Sequence, residues 1–485
     1  MVFASPIFLF LFLPLVLAGY FLCHKSLRNA YLLGVSVLFY AWGEPRNVGV
    51  IVFSMLLNYG SGLLLHRTET APFFGLFRKN VLALAVGANL LLLIHCKYAG
   101  FLVANLSAGL AALGLPLIAY NPPPLPLGIS FFTFQAMSYV IDVYRRHAPV
   151  QKNPLHCGLY IALFPQLIAG PIVRYAQLAS QIVARTVTVP GFSYGVQRFI
   201  VGLSKKALIA NPMGAVTDAI FALPVGELTP GAAWLGIACY TLQIYYDFSG
   251  YSDMAVGLGR MFGFVFPENF AHPYAARSLR DFWRRWHMTL SFWFRDYLYI
   301  PLGGSHKSSF RTAVNLWTVF FLCGLWHGAG WTFIVWGIFH GLCLAWERTR
   351  LWRSLMPRLW RPVQHLYTLG IVVMGWVFFR SETVAYALDY LACLFGMWPS
   401  SATGRDALLY CDPKTVWTLV LGSLFAAPVA PLLAQKLTAL RGRSPNTLLR
   451  IALHTGRCVA LLFLFLASAA HLAAGTYNPF IYFRF

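Results

Sequence analysis

Val48-Gly-Val-Ile-Val-Phe-Ser-Met-Leu-Leu-Asn-Tyr-Gly-Ser-Gly-Leu-Leu-Leu65 runs for eighteen residues without a charge. A stretch of that length and polarity reads as a helix crossing a bilayer. Working outward, comparable apolar runs lie near 5–22, 30–41 and 80–96, and later near 125–143, 208–223, 231–250, 363–380, 413–433 and 451–472. At about 20 residues per crossing, ten to twelve crossings would use roughly half of the chain. Composition agrees: of 485 residues, 58% are hydrophobic and only 11% charged. A soluble protein carries about 25% charged residues, so there is too little charge here to coat water-facing domains. The predicted fold class is all-α, a polytopic membrane protein with ten to twelve transmembrane helices plus re-entrant and interfacial helices.

The charges predict the topology. Lys and Arg number 37 against 15 Asp and Glu, giving +22. The bases fall in short segments between apolar runs, where the positive-inside bias accounts for them without any nucleic acid. Lys25 and Arg28 follow the first run; Arg67, Arg78 and Lys79 follow the third. Both clusters are expected in the cytoplasm, with the N-terminus outside. The same logic places Arg145–His147, Lys205–Lys206, Glu347–Arg361 and Lys436–Arg450 inside. Met1–Leu22 has no basic n-region and no small-residue cleavage site, and reads as a retained first crossing. Nine cysteines form no CxxC pair, which argues against a zinc site or a disulfide framework.

Ionisable groups in apolar surroundings are costly and mark candidate sites. Four places qualify. Gln243–Asp253, with Asp247, Ser249, Tyr251 and Asp253 at the end of an apolar helix, reads either as a polar pocket or as a structural network pairing its carboxylates with nearby cations. Between Arg277 and Tyr297, plotted at 100° per residue, Arg277, Arg280, Arg284, His287, Ser291 and Arg295 share one face. That pattern is a basic amphipathic helix suited to the cytoplasmic interface. It would bind lipid headgroups or, because guanidinium forks match phosphate oxygens, a phosphorylated acyl carrier with His287 beside it. Gly324-Leu-Trp-His-Gly-Ala-Gly-Trp331 puts His327 at the tip of an apolar helical hairpin. Glycine permits close backbone approach, Trp326 would shape a pocket wall, and a neutral imidazole can serve as general base for a hydroxyl. A core histidine bonded to a carbonyl is the alternative. His340, in Trp-Gly-Ile-Phe-His-Gly, reads as a supporting or a packing residue. Finally, Leu155–Ile172 is broken by Pro165, Gly170 and Pro171 and reads as an interrupted or re-entrant helix lining a cavity, with Gln166 inside and Arg174 at its mouth, or as a simple kink.

No P-loop, GxSxG elbow or HExxH motif is present, which removes support for an ATP-driven pump, a serine hydrolase and a zinc protease. The blocks Asp247-Phe-Ser-Gly-Tyr-Ser-Asp-Met-Ala-Val-Gly-Leu-Gly259, Glu268-Asn-Phe, Phe282-Trp-Arg-Arg-Trp-His287, Arg295-Asp-Tyr-Leu-Tyr-Ile-Pro-Leu-Gly-Gly304 and Leu325-Trp-His-Gly328 resemble the signature of the membrane-bound O-acyltransferases (MBOAT). The likeness is to the bacterial branch that acetylates exopolysaccharides such as alginate. The opening Met-Val-Phe-Ala-Ser and the closing Asn478–Phe483 resemble that branch too. Met288, Phe292 and Phe294 depart mildly from the pattern.

The resemblance implies a single membrane domain over 1–485: N-terminal helices to 150, a motif-bearing core over 155–350 and C-terminal helices over 363–485. It implies tilted helices around a thin centre open to both sides, in the bacterial inner membrane. His327 corresponds to the family's catalytic histidine and His287 to its second polar position. Arg280, Arg284, Arg295 and Trp326 become donor contacts, with acetyl-CoA as acyl donor and no resident cofactor or metal. A periplasmic or membrane-anchored esterase-type acetyltransferase partner would complete transfer to the polysaccharide. Cellulose or another glycan is an alternative acceptor. An acyl or saccharide transporter, or a scaffold without chemistry of its own, is the competing class; the lack of a visible inverted repeat argues against the usual transporter design.

Overall fold

The computed structural model describes residues 2–67, 75–306, 308–397, 406–429, 431–433, 435–436, 439, 447–475, 477–479 and 481. Among these the chain is all-α, with no strand. It divides into two compact units, Met1–Val196 with Ala255–Pro267, and Gln197–Met254 with Glu268–Phe485.

The first unit holds α1 (Leu13–Leu22), α2 (Arg28–Gly43), α3 (Val48–Arg67), α4 (Gly75–Leu93), α5 (Ala99–Ala112), α6 (Ile129–Tyr144), α7 (Pro154–Ala162), α8 (Phe164–Leu167), α9 (Tyr175–Val183) and the start of α10 (Val189–Ser204). Helices α3, α4 and α6 pack together, as do α2, α3 and α7. In an apolar surround, helices are joined by polar side chains that satisfy each other. Asn58 on α3 and Asn89 on α4 do so reciprocally, amide to carbonyl, at 3.1 and 2.9 Å. Phe3, Phe8, Phe12, Phe39 and Phe164 form a core of tilted and stacked ring contacts.

The interruption expected in 155–172 is present. The chain turns out of helix at Leu163 (φ −54°, ψ 112°) and again after α8. Side chains take up the freed backbone groups, as a buried break requires: Gln166 Nε2 donates to the Tyr160 carbonyl at 2.6 Å, and the Tyr160 hydroxyl donates to that of Val173 at 2.9 Å. Gly128 has φ +73°, and a Cβ there would sit 2.6 Å from the Leu167 oxygen, so only glycine lets this loop meet α8.

The second unit contains the rest of α10, α11 (Asn211–Phe221), most of α12 (Pro230–Met261), α13 (Leu279–Trp283), α14 (Met288–Phe294), α15 (Ser309–His327), α16 (Trp331–Glu347), α17 (Arg350–Leu355), α18 (Arg361–Arg380), α19 (Val384–Leu394), α20 (Pro413–Ala426) and α21 (Thr447–Ala473). Helices α15 and α16 form a hairpin so close that a Cβ on Gly324 would stand 2.3 Å from the Phe333 oxygen, and one on Gly337 2.4 Å from that of Phe320. Small residues permit this backbone approach.

Among the described residues, four helical stretches are long and apolar enough to cross a membrane: Pro45–Arg67, Leu76–Ala112, Arg361–Arg380 and Thr447–Ala473. The most apolar window of the last is only 6% buried, so its leucines and phenylalanines face outward, where lipid rather than water suits them. Of the other expected crossings, 231–250 lies within the 32-residue α12, and the rest are realised as shorter or interrupted helices.

Two expectations are corrected. Arg277–Tyr297 is not one amphipathic helix: α13 ends at Trp283, His287 takes φ +43°, and α14 begins at Met288. The segment 269–271 causes the break, because Asn269 O accepts from the Met288 N–H and the Arg285 carbonyl accepts from the Ala271 N–H, in place of helical partners. Lys205–Lys206 is not a loop cluster. It lies in a π-turn (Lys205–Ala210) that runs α10 into α11, and both lysines face carboxylates. Within the Lys436–Arg450 cluster, residues 437, 438 and 440–446 lie outside the described residues, as do Phe480, Tyr482 and Phe483 of the closing motif.

Candidate active site

His327 is the last residue of α15, whose start is capped by Ser308 Oγ accepting from the Arg311 N–H. The glycine-mediated hairpin holds that helix end against α16. The imidazole is buried and ringed by edge contacts with Trp326 (5.0 Å between centroids), Trp336 (5.1 Å) and Phe379 (5.1 Å). Trp336 comes from α16 and Phe379 from α18, so three helices build the enclosure.

His287 sits in the connection between α13 and α14, outside the spanning helices, and is also buried. Its Nδ1 lies 3.1 Å from Asn269 Oδ1. That same oxygen accepts from the Thr289 N–H (3.2 Å) and the Thr289 hydroxyl (2.9 Å), while Asn269 Nδ2 meets Ser252 Oγ at 3.0 Å. A backbone N–H can only donate, so the amide orientation is fixed and Nδ1 must carry the ring proton. Nε2 is then left as the basic nitrogen. Burial pushes the His287 imidazole down, to about 3, so it is neutral at physiological pH. Trp326 joins the two histidines, lying 5.8 Å from the ring of His287 and 5.0 Å from that of His327.

Both histidines line one cavity of about 260 Å³. Arg280, Arg284, Ser291 and Arg295 supply its other expected polar groups; Leu290, Phe294, Leu316, Val319, Phe320, Cys323 and Leu344 supply the apolar wall. Of the residues placed on one face by a 100° plot, all but Arg277 thus meet at one cavity although the helix that plot assumed is broken. Glu347 braces this wall, its carboxylate accepting from the N–H groups of Leu279 (2.7 Å) and Arg280 (3.1 Å) at the start of α13. The Arg280 guanidinium is held below its ordinary range by partial burial and by Arg284, Arg348 and Arg353. Such a concentration of positive charge favours an anion. Arg295 is half exposed and pairs with Asp296 at 2.6 Å.

The other sequence candidates are placed elsewhere. Asp253 is bound by Arg198 (2.7 Å) and Lys205 (2.7 Å). Asp247 is bound by Lys206 at 2.7 Å and accepts from the Ile481 N–H at 2.9 Å. Neither carboxylate lines the cavity, nor do Ser249 and Tyr251. His340 is fully buried against Trp283 (5.2 Å) and Trp336 (5.1 Å). Gln166 and Arg174 belong to the first unit, where Gln166 satisfies the break after α7 and the Arg174 N–H donates to Gln177 Oε1. Sequence reasoning missed the parts played by Asn269, Trp336, Phe379 and Glu347. Asn269 lay in a quoted motif block and could have been found there; the two rings come from separate helices and carry no local signal.

A broken basic segment, a glycine-tightened hairpin and two buried histidines thus meet at one cavity of a helical chain with apolar helices long enough to cross a membrane. The chain belongs to the membrane-bound O-acyltransferase family, whose sequence model matches residues 128–383, and it is an acyltransferase. It is 41% identical to the probable alginate O-acetylase AlgI of Pseudomonas putida over the full length of both chains. It is 35% identical to the peptidoglycan O-acetyltransferase of Helicobacter pylori over 82% of this chain and 80% of that one. A teichoic acid D-alanyltransferase of Bacillus subtilis is 28% identical over 55% and 73%.

Proposed function

We propose that this protein moves acetyl groups from a cytoplasmic thioester, acetyl-CoA, across the inner membrane for O-acetylation of an exopolysaccharide such as alginate. The observation that carries this reading is the shared cavity: His287 and His327 line it together with Arg280, Arg284 and Arg295. Guanidinium groups bind the donor's phosphates, and the apolar wall accommodates its thioester arm. The acceptor hydroxyl oxygen attacks the thioester carbonyl carbon while His327 takes its proton. Collapse of the tetrahedral adduct breaks the C–S bond, and the departing sulfur receives that proton, leaving an ester and a free thiol. Base catalysis of this kind contributes roughly 10²–10⁴-fold.

Full-length identity to a probable alginate O-acetylase supports an alginate-type acceptor, with cellulose or another glycan as the alternative. The N-terminus lies in the periplasm, and a periplasmic or membrane-anchored esterase-type partner completes transfer to the sugar. The test is His327→Ala in producing cells. Polysaccharide acetyl content should vanish while the protein stays in the membrane at its normal level; retained acetylation would overturn the role of His327. Labelled acetyl-CoA given to purified protein distinguishes an enzyme, which releases CoA, from a transporter or scaffold, which does not.

A further inference from the structure

We infer that Arg348 and Arg353 form an outer site for the nucleotide half of the donor, holding its phosphates outside the cavity while the thioester arm reaches inward; this deepens, and rests on, the thioester-transfer reading above. The first observation is size. The cavity measures about 260 Å³, whereas sites that enclose drug-sized ligands run to about 300–1,000 Å³. Acetyl-CoA is larger than such ligands, so only its arm can be enclosed. Exposure fixes the direction: His287 and His327 are buried, while Arg280, Arg284 and Arg295 on the same lining are exposed. The nucleotide therefore stays outside, beyond those arginines.

The chain places two more cations there. The Glu347 carboxylate accepts from the N–H groups of Leu279 and Arg280 at 2.7 and 3.1 Å, so the next residue, Arg348, stands beside the start of α13. Thr349 then caps α17, its hydroxyl accepting from the Trp352 N–H at 3.3 Å. Trp352 packs on Trp346 of α16 at 6.1 Å and on Tyr367 of α18 at 4.5 Å. The short helix that carries Arg353 is thus fixed on two longer ones. Partial burial, then Arg284, Arg348 and Arg353, hold the Arg280 guanidinium below its ordinary range, as cations within reach of one another do.

Local acids leave this charge uncompensated. Glu347 is the one acid between 345 and 362, and its carboxylate is engaged at α13. Both guanidinium groups are exposed, and neither is ion-paired among the described residues. Clustered cations at the entrance of an apolar-walled cavity attract an anion, and guanidinium forks match phosphate oxygens. The diphosphate and ribose phosphate of the donor supply those oxygens. An anionic lipid headgroup offers the same chemistry, and the experiment separates the two.

The full chain with its native partners is reconstituted in phosphatidylcholine vesicles, with and without phosphatidylglycerol. Thiol release is measured from acetyl-CoA and from S-acetylpantetheine, which has the arm and no phosphate. Wild type is compared with the double variant Arg348→Gln, Arg353→Gln and with Arg358→Gln, a change at an exposed arginine of the same segment that does not act on Arg280. The double variant should raise KM for acetyl-CoA about tenfold, the loss of one hydrogen bond to a charged group, with kcat unchanged. Its kcat/KM for S-acetylpantetheine should stay at the wild-type value, and Arg358→Gln should match wild type on both donors. The ratio between donors is independent of how much protein is folded. Equal effects on both donors, no effect on either, or a wild type without preference for acetyl-CoA would overturn the outer site. An effect confined to vesicles with phosphatidylglycerol would also overturn it, assigning these arginines to lipid headgroups. A wild type that releases no thiol from either donor would instead overturn the functional reading itself.

Discussion

One oxygen, Asn269 Oδ1, decides the chemistry available at His287. It accepts from the ring Nδ1 and from both donors of Thr289, which leaves Nε2 as the basic nitrogen. Replacing Asn269 with Asp keeps the acceptor but adds a negative charge, which favours the imidazolium. The variant should acquire an acid limb in kcat/KM between about pH 5 and 8, a range where wild-type His287 stays neutral; matched pH–rate profiles check this. The depressed value has a stability consequence with a definite sign. Folded His287 titrates near 3 and an unfolded histidine near 6.5. Below about pH 6.5 the unfolded chain therefore binds a proton that the native state refuses, and stability falls as pH drops toward 3. His287→Gln should flatten that slope in thermal unfolding measured in detergent. The sequence marked His287 and His327, because ionisable groups in apolar runs are conspicuous. It did not reveal which nitrogen of His287 is basic, since the acceptor lies eighteen residues upstream in another block.

At the scale of elements, the α15–α16 hairpin carries the site. Its two glycines leave 2.3 and 2.4 Å between a hypothetical Cβ and the facing carbonyl oxygens, so Gly337→Ala must push the helices apart. Overpacking of this sort costs about 1–3 kcal/mol, and moving His327 relative to Trp336 and Phe379 should reduce turnover as well. A lowered thermal midpoint together with reduced thiol release checks it. Gly324 was legible in the sequence as a point of close approach; Gly337, its counterpart on α16, was not. The break at 284–287 was not: a helical plot assumes an unbroken helix, and the competing hydrogen bonds come from residues 269–271. The cavity lining nonetheless gathers Arg280, Arg284, His287, Ser291 and Arg295, because two short helices joined by a tight turn keep these side chains on one side.

Across the second unit, buried charge is paired over long sequence separations. Lys206 meets Asp247 at 2.7 Å with both side chains at 5% exposure or less, and Lys206 Nζ also donates to the Pro479 carbonyl. Removing one partner strands the other. Lys206→Met should cost about 3–5 kcal/mol, and Lys206→Met with Asp247→Leu should recover most of it. Thermal unfolding of the two variants in detergent gives the comparison, and a double variant no better than the single would refute the pairing as a stabilising unit. Read along the chain, Lys205 and Lys206 looked like charges between apolar runs; only their aspartate partners, more than forty residues away, reveal Lys206 as a buried and Lys205 as a half-buried counter-ion.

By itself the sequence determined that this chain is helical and membrane-embedded, and it marked two histidines that the structure places on one cavity. Those properties follow from local hydropathy and from the cost of placing an ionisable group in an apolar run, and both are written in consecutive residues. Tertiary structure alone decided that Asn269 orients His287, that Glu347 caps α13, that Phe379 from α18 packs against the His327 ring, and which cations neutralise Asp247 and Asp253. These are contacts between segments far apart in sequence, and no periodicity along one segment encodes the partner it will meet.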